Sequence, residues 1–137
     1  MRILAVFAIL LGLCSSGSAF SDADRTAVQS TIEGQLKAFL SDDAGGAYSF
    51  AAPNIQAIFP TQDIFMNMVR QGYKPVYRSM SHQFGELKET PAGLEQTVDI
   101  VDASGGFWTA IYTLQQQPDG SWKITGCSLL KKPGEVA

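Results

Sequence analysis

The sequence is short of the residues that most catalytic and metal sites require. Its 137 residues include one histidine and two cysteines, and only 17% are charged. No zinc-ligand spacing, phosphate-cradling glycine loop or serine-nucleophile elbow is present. Because a Ser–His–Asp triad uses a histidine as its base, that chemistry depends on His82 alone. The sequence therefore predicts no metal and no cofactor.

Positive charge is also scarce. Lys and Arg number 10 against 13 Asp and Glu, so the net charge is −3. Binding to nucleic-acid phosphates requires clustered positive charge. The only adjacent basic pair, Lys131 and Lys132, lies at the end of the last predicted strand. This balance excludes nucleic acid as the main partner.

A long apolar run occurs only at the N-terminus. Met1 and Arg2 are followed by an apolar stretch over residues 3–13, which is too short to span a bilayer as a stable anchor. Small residues follow, with Gly17 and Ala19 at the positions preferred before signal-peptide cleavage. We therefore predict a signal peptide over residues 1–19, cleaved after Ala19, and a single domain over residues 20–137. The mature protein is expected in the periplasm or secreted, with no stable membrane insertion.

The cysteines leave one alternative to this soluble export. Cys14 is similar to the lipid-modified cysteine of a lipoprotein signal, but Leu13 stands where such signals have a small residue. Cleavage after Ala19 removes Cys14 and leaves Cys127, so the mature chain cannot form an internal disulfide. Cys127 lies in a strand-like stretch with no base nearby in sequence, which favours a buried, unreactive thiol.

The first half of the mature chain has helical periodicity. Ser21 is a predicted N-cap of the first helix, and a second is expected after Asp42 and Asp43 and before Pro53. A short helical turn should follow, and Thr61 should cap a further helix that ends near Gly72. The predicted inward-facing residues are Val28, Ile32, Leu36, Phe39 and Leu40 in the first helix, and Ile64, Phe65, Met68 and Val69 after Thr61.

The second half changes to the two-residue period of strands. Strand-like segments cover residues 76–87, 94–101, 107–115 and 122–130. The intervening segments 90–93, 103–106 and 118–120 contain turn residues and are too short for the crossovers that parallel strands need. The sequence therefore predicts an α+β fold, with N-terminal helices packed on one face of a curved four-stranded antiparallel meander.

Three stretches resemble domain of unknown function 4864, a family of small exported bacterial proteins. These are residues 35–39 with Asp42 and Asp43, residues 51–55, and Met68 and Val69 leading into residues 73–78. The order of elements and the closing segment 119–124 are similar to the nuclear-transport-factor-2-like, or cystatin-like, cone fold. The family resemblance implies no activity. The resemblance to the wider fold implies a cone with a pocket at its open end. Proteins with that fold include isomerases, dehydratases and polyketide cyclases, as well as domains that only bind or dimerise.

His82 is the candidate acid or base. It shares a strand face with Met80 and Phe84, so an inward orientation would place it in an apolar pocket, where its pKa suits proton transfer. Asp99 alternates with Val98 and Ile100 and points away from the core if those two are buried. The alternative for His82 is a hydrogen-bonded structural residue.

Five further residues are candidate ligand contacts. Tyr48, Tyr73, Tyr77 and Tyr112 can donate hydroxyl hydrogen bonds to a ligand oxygen. Arg78 can pair with a ligand carboxylate or with the acidic pair that follows the first helix. The simpler interpretation is that the tyrosine rings pack in the core and the acidic pair caps a helix.

Methionines raise one metal alternative. The pairs Met66–Met68 and Met80–His82 have the soft ligands that Cu(I) prefers. Residues two apart on a helix point in different directions, and neither pair has a third ligand nearby in sequence. Methionine as a filler of the core is therefore favoured over a copper site.

Two classes of function remain. The first is a non-catalytic module that binds a small apolar ligand or a protein partner, and the second is a small lyase or isomerase with His82 as acid or base. The missing catalytic constellation favours the first. Apolar residues on both faces of the third strand, Phe107 and Ile111 against Trp108 and Tyr112, also predict a homodimer through the sheet. A charged residue at Trp108 should then produce monomers.

Overall fold

The helices come first in the chain and the strands follow. The computed structural model describes residues 20–133, so the predicted signal peptide, its cleavage site and Cys14 lie outside the described residues. The α+β class is confirmed. The elements are α1 (Asp22–Leu40), α2 (Ala44–Ser49), α3 (Pro53–Ile58), α4 (Gln62–Gly72), α5 (Lys74–Tyr77), β1 (Ser81–Thr90), β2 (Gly93–Val101), β3 (Phe107–Gln116) and β4 (Trp122–Lys131).

Helix α1 begins and ends as its sequence predicts. Ser21 and Asp24 form a capping box, in which each side chain accepts a hydrogen bond from the other residue's backbone N–H. The helix ends where Asp42 takes a left-handed conformation (φ 53°) and the Asp43 N–H bonds back to Ala38 at 2.8 Å. The predicted stripe is buried except for Leu40, which is 50% exposed.

The next helices differ from the prediction at Pro53. Helix α2 is capped by Asp43 and ends at Ser49, and Pro53 starts α3 instead of stopping α2. A proline in the first turn of a helix loses no internal hydrogen bond and already has a helical φ. Thr61 caps α4 as predicted, by accepting from the Ile64 N–H. Ile64 itself is exposed, in contrast to the predicted inward orientation.

The first strand begins later than predicted. Residues 74–77, which include the start of the predicted strand, form helix α5, and β1 starts at Ser81. Pro75 lies in the first turn of α5, and the Tyr77 N–H donates to the Tyr73 carbonyl at 3.0 Å. The proline thus marks the start of a helix here. The segment predicted as one strand contains the end of this helix and most of β1.

The four strands form one antiparallel sheet in chain order. Each of the predicted turn segments joins two neighbouring strands. Gly93, Gly105 and Gly120 have positive φ values in these turns, of 133°, 86° and 88°. A Cβ at Gly93 would also lie 2.2 Å from the Leu114 carbonyl oxygen, so this position requires glycine on two grounds.

Two bulges interrupt the sheet. One lies in β1 between Phe84 and Leu87, and the other lies in β4 opposite Thr113 and Leu114. The β1 bulge is held by Gln96, a fully buried side chain whose amide donates to the carbonyls of Gly85, Glu86 and Thr97. Bulges bend and twist a strand, and here they lie on both outer strands of the sheet.

The core lies between the helices and one face of the sheet. On this inner face Val98, Ile100, Ala110 and Leu114 are completely buried. Trp108 is paired with Ile100 and therefore lies on the same face. The opposite face exposes Phe107 and Leu130. Because Trp108 is on the helix side, it is the wrong position to test a dimer through the outer face of the sheet.

Candidate functional site

An apolar cavity of about 260 Å³ lies between the helices and the inner face of the sheet. It receives residues from α1, from the segment 51–76 and from strands β3 and β4. None of the lining residues within the described part of the chain carries a charge. The lining consists of Gln35, Phe39, Ala51, Ile55, Phe59, Phe65, Met68, Val69, Tyr73, Val76, Tyr112, Ile124, Gly126 and Cys127.

One wall of the cavity depends on a short docking of the chain onto β4. The Ile124 N–H donates to Phe50 at 2.9 Å, and the Ala52 N–H donates to the Ile124 carbonyl at 2.8 Å. The Asn54 side chain then donates to the carbonyl of Thr125, the extra residue of the β4 bulge, at 3.0 Å. This segment covers the edge of the sheet and holds α3 beside the cavity.

The rim of the cavity is formed by half-buried residues. Ile55, Phe59, Met68 and Tyr73 on the helical side are only partly exposed, as is Cys127 on β4. Phe39, Phe65 and Val69 in the same wall are buried. Phe65 contacts the rings of Phe39 and Phe59 at centroid distances of 6.3 and 6.4 Å. The wall therefore combines packed, buried aromatic rings with partly exposed residues.

Four residues bring polar atoms to this apolar wall: Gln35, Tyr73, Tyr112 and Cys127. The Gln35 amide nitrogen donates to the Ala47 carbonyl at 3.1 Å and is thereby committed to the fold. The Tyr112 hydroxyl is buried and has no hydrogen-bond partner among the described residues. A buried polar group left unpaired costs about 1–3 kcal/mol, so this hydroxyl is the feature of the cavity that packing does not explain.

Tyr112 and Cys127 face each other across strands β3 and β4. Burial raises the pKa of Tyr112 well above its usual value, and the neighbouring thiol adds to that rise. Burial also raises the pKa of Cys127 to about 12. The contact between the thiol and the hydroxyl contributes to the pKa shifts of both groups, but it is not among the hydrogen bonds of the structure. Both groups are therefore protonated at neutral pH, and Cys127 is not a thiolate nucleophile.

His82 does not line this cavity. It lies on the inner face near the start of β1, in a separate groove that also contains Met80, Lys37 and Ser30. Its Nε2 lies 3.4 Å from the Glu33 carboxylate, and its ring packs edge-on against Phe84. His82 thus has a carboxylate neighbour but stays partly exposed, and its role as acid or base stays a prediction.

Asp99 has the orientation predicted for it. Val98 and Ile100 are completely buried, and Asp99 points to the opposite face of the sheet. There its carboxylate accepts from Lys132 Nζ at 2.6 Å and from Thr109 at 3.2 Å. It contributes no carboxylate to the cavity.

The other predicted ligand contacts lie in three places. Tyr73 and Tyr112 line the cavity. The Tyr48 hydroxyl is taken by the Phe59 carbonyl at 2.5 Å, and its ring packs beside the cavity against Phe65. Tyr77 and Arg78 lie outside the cavity. The structure thus brings two of the five candidates to one site.

Tyr77 and Arg78 form a surface cluster with Asp42. Arg78 forms an ion pair with Asp42 at 2.7 Å and lies over the Tyr77 ring at 4.0 Å. The Tyr77 hydroxyl also donates to Asp42, and together with the Arg78 guanidinium it lowers the pKa of that carboxyl. The two acidic residues after α1 thus have different roles: Asp43 caps α2, and Asp42 forms an ion pair with Arg78.

The methionines named as copper-ligand candidates lie in three different places. Met66 is buried in the core, Met68 lines the cavity, and Met80 is exposed in the His82 groove. Among residues 20–133, no group of three or more His, Cys, Asp or Glu side chains is placed to hold a metal ion.

No helix in that part of the chain is both long and apolar enough to cross a membrane.

Sequence reasoning missed the pairing of Tyr112 with Cys127 and the place of Gln35 in the wall. The alternation of β3 and β4 does place each residue on a face, but the extra residue in β4 shifts which side Cys127 faces. Gln35 lies next to Leu36 on a predicted helix, and only its burial distinguishes it from a surface glutamine. No local sequence signal marks Cys127 or Gln35 as part of a cavity.

The chain belongs to a family described as Domain of unknown function (DUF4864), whose sequence model matches residues 21–137. No curated protein and no solved structure matches the chain.

Proposed function

We propose that this protein is an exported, non-catalytic module that binds a small apolar molecule in the cavity between its helices and sheet. The observation that carries the proposal is the uncharged cavity itself, with an unpaired buried hydroxyl in its wall. Apolar pockets with a few polar groups are the usual form of small-molecule sites.

The size of the cavity supports a small ligand. An apolar cavity of about 150 Å³ holds benzene, and sites for drug-sized molecules begin at about 300 Å³. The volume here, about 260 Å³, lies between these two. A ligand of one ring with a short substituent fits this range, whereas a long acyl chain or a polycyclic compound exceeds it.

The polar groups at the cavity support binding more than catalysis. The described residues of the wall include no carboxylate and no histidine. The one thiol is kept neutral by its raised pKa. Proton transfer and nucleophilic attack both require a group that changes charge or carries a lone pair activated by a base. The wall offers the Tyr112 hydroxyl as a hydrogen-bond donor, but its described residues include no base that could activate a nucleophile or accept a proton.

Export and a retained ligand can be tested together by native mass spectrometry of the protein expressed from its full coding sequence and purified gently. The expected spectrum has the mass of residues 20–137, with an additional small mass that is lost on denaturation. A protein that keeps residues 1–19 would contradict export by a cleaved signal peptide. A diacylglycerol-sized addition at an N-terminal Cys14 would favour the lipoprotein alternative.

A cavity-filling variant tests the site directly. Val69 is buried in the wall, so Val69→Phe places a ring in the cavity and should abolish binding of α-methylstyrene, an apolar probe of suitable size. Ile58→Phe is the matched control, because Ile58 is 66% exposed on α3 and does not line the cavity. Saturation-transfer NMR reports the probe. Equal binding to wild type and Val69→Phe would place the probe elsewhere and contradict the proposal.

A further inference from the structure

We infer that the ligand is a neutral molecule with an apolar body and one hydrogen-bond acceptor oxygen, and that this oxygen takes the hydroxyl of Tyr112. This inference rests on the proposed function and names the class of ligand. It comes from three observations on the described residues of the cavity wall: they include no charged side chain, one buried hydroxyl among them is unpaired, and a small half-buried residue lies next to that hydroxyl.

The absence of charge excludes an ionised ligand. None of the described residues that line the cavity is an Asp, Glu, Lys, Arg or His. The cluster of Arg78 and Asp42 is already paired internally and lies outside the cavity. A ligand carboxylate or ammonium would therefore be buried without a counter-charge, which costs far more than burial of a neutral polar group.

The unpaired donor selects an acceptor. Tyr112 is 1% exposed, and its hydroxyl has no partner in the described part of the chain. Its raised pKa keeps the proton on the oxygen at physiological pH, so the group is a hydrogen-bond donor. A carbonyl or ether oxygen on the ligand would satisfy it, whereas a pure hydrocarbon would leave it unpaired.

Cys127 is the neighbour of this hydroxyl that also lines the cavity. It is half-buried, lines the cavity and faces Tyr112 across the two strands. The cysteine side chain has a single rotatable bond to sulfur, so a rotamer change is the small movement that lets a ligand oxygen reach the hydroxyl. A thiol is a weak acceptor and loses little when it is displaced.

The test uses three probes of closely similar shape: acetophenone with a carbonyl, α-methylstyrene with a methylene in its place, and benzoate with a negative charge. Dissociation constants are measured by NMR titration of wild type and Tyr112→Phe. The preference for acetophenone over α-methylstyrene should be about tenfold larger in wild type than in the variant, the loss expected for one buried hydrogen bond. Benzoate should not bind either protein.

Tyr77→Phe is the matched control, because it removes a tyrosine hydroxyl that lies outside the cavity, in the cluster with Asp42 and Arg78. It should leave the preference unchanged. The carbonyl carbon of ¹³C-labelled acetophenone gives a second readout that does not depend on the variant. Its resonance should move to higher frequency in the wild-type complex, as expected for a carbonyl that accepts a hydrogen bond.

The outcomes separate this inference from the proposed function. An equal preference in wild type and Tyr112→Phe, with α-methylstyrene bound to both, would overturn the acceptor inference and leave the cavity as an apolar site. Failure of acetophenone and α-methylstyrene to bind wild type would overturn both. Tight binding of benzoate would contradict the neutral class of ligand.

Discussion

At the scale of single residues, two tyrosines differ in whether the hydroxyl has a hydrogen-bond partner. Tyr48 and Tyr112 have similar rings beside the same cavity, yet the hydroxyl of Tyr48 is bonded to Phe59 and that of Tyr112 is unpaired. In the sequence both were equal candidates for a ligand contact. The difference depends on which carbonyl the chain brings to each hydroxyl, and a local pattern does not contain that information.

This contrast predicts opposite changes in stability. Tyr112→Phe removes an unpaired buried hydroxyl and should raise the free energy of unfolding by about 1 kcal/mol. Tyr48→Phe removes a satisfied hydrogen bond and should lower it by about 1 kcal/mol. Urea unfolding of the two variants and wild type measures both. A Tyr112→Phe protein less stable than Tyr48→Phe would contradict the assignment of an unpaired hydroxyl to Tyr112.

Asp102 gives the clearest pH dependence of a single residue. Its carboxylate accepts from Ser104, Gly106 and Trp108 in the turn between β2 and β3, with Trp108 Nε1 at 2.8 Å. The Ser104 hydroxyl, followed by Trp108, lowers the pKa of this carboxyl from 3.8 to about 2. A lowered pKa means that the carboxylate stabilises the fold above pH 3.8 and that this contribution is lost as the pH falls through about 2.

We therefore expect Asp102→Asn to unfold at lower urea concentration than wild type at neutral pH. The gap between the two proteins should narrow as the pH falls below 3.8 toward 2. Glu89→Gln, an exposed residue of β1, controls for the loss of one negative charge. A gap that stays constant with pH would argue against a stabilising role of the ionised carboxylate.

At the scale of elements, helix caps and turns were predictable and strand boundaries were less so. Ser21, Asp43 and Thr61 each cap the helix that their position indicated, because capping depends on a few adjacent residues. Strand β1 begins later than its periodicity predicts, since Pro75 starts a short helix as readily as it precedes a strand. The β4 bulge and the docked segment at β4 depend on contacts distant in sequence, and no periodicity predicts them.

Gly93 offers a test of the turn between β1 and β2. Gly93→Ala places a side chain at φ 133° and against the Leu114 carbonyl, so it should lower the free energy of unfolding by about 2 kcal/mol or more. Gly72→Ala is the matched control, because a Cβ there meets nothing within 4 Å. It should be neutral or slightly stabilising. Thermal unfolding of both variants decides, and equal effects would contradict the strain assigned to Gly93.

At the scale of the whole molecule, the class and layer arrangement were predictable and the assembly stays a prediction. The change in the spacing of apolar residues from a helical to a strand period, together with the short turns, is sufficient to predict helices on one face of an antiparallel meander. The homodimer through the sheet depends on the outer face, where Phe107 is 48% and Leu130 is 56% exposed. Those residues, and not Trp108, are the positions at which the prediction can be tested.

Phe107→Glu should shift the sedimentation of the protein from dimer to monomer if the outer face forms the interface, because a charge there would be buried without a partner. Ile58→Glu controls for a charge on an exposed apolar residue outside the sheet. A wild-type protein that sediments as a monomer, or a Phe107→Glu protein that stays dimeric, would exclude this interface.

The central claim is that the apolar cavity is a ligand site, and mapping a bound probe by methyl NMR tests it most directly. With acetophenone added, the methyl resonances that move should be those of the cavity wall, including Ile55, Met68, Val69 and Ile124. Methyl groups of Met80 in the His82 groove and of Leu130 on the outer face should not move. Shifts confined to Met80 or Leu130, with the wall unchanged, would contradict the account.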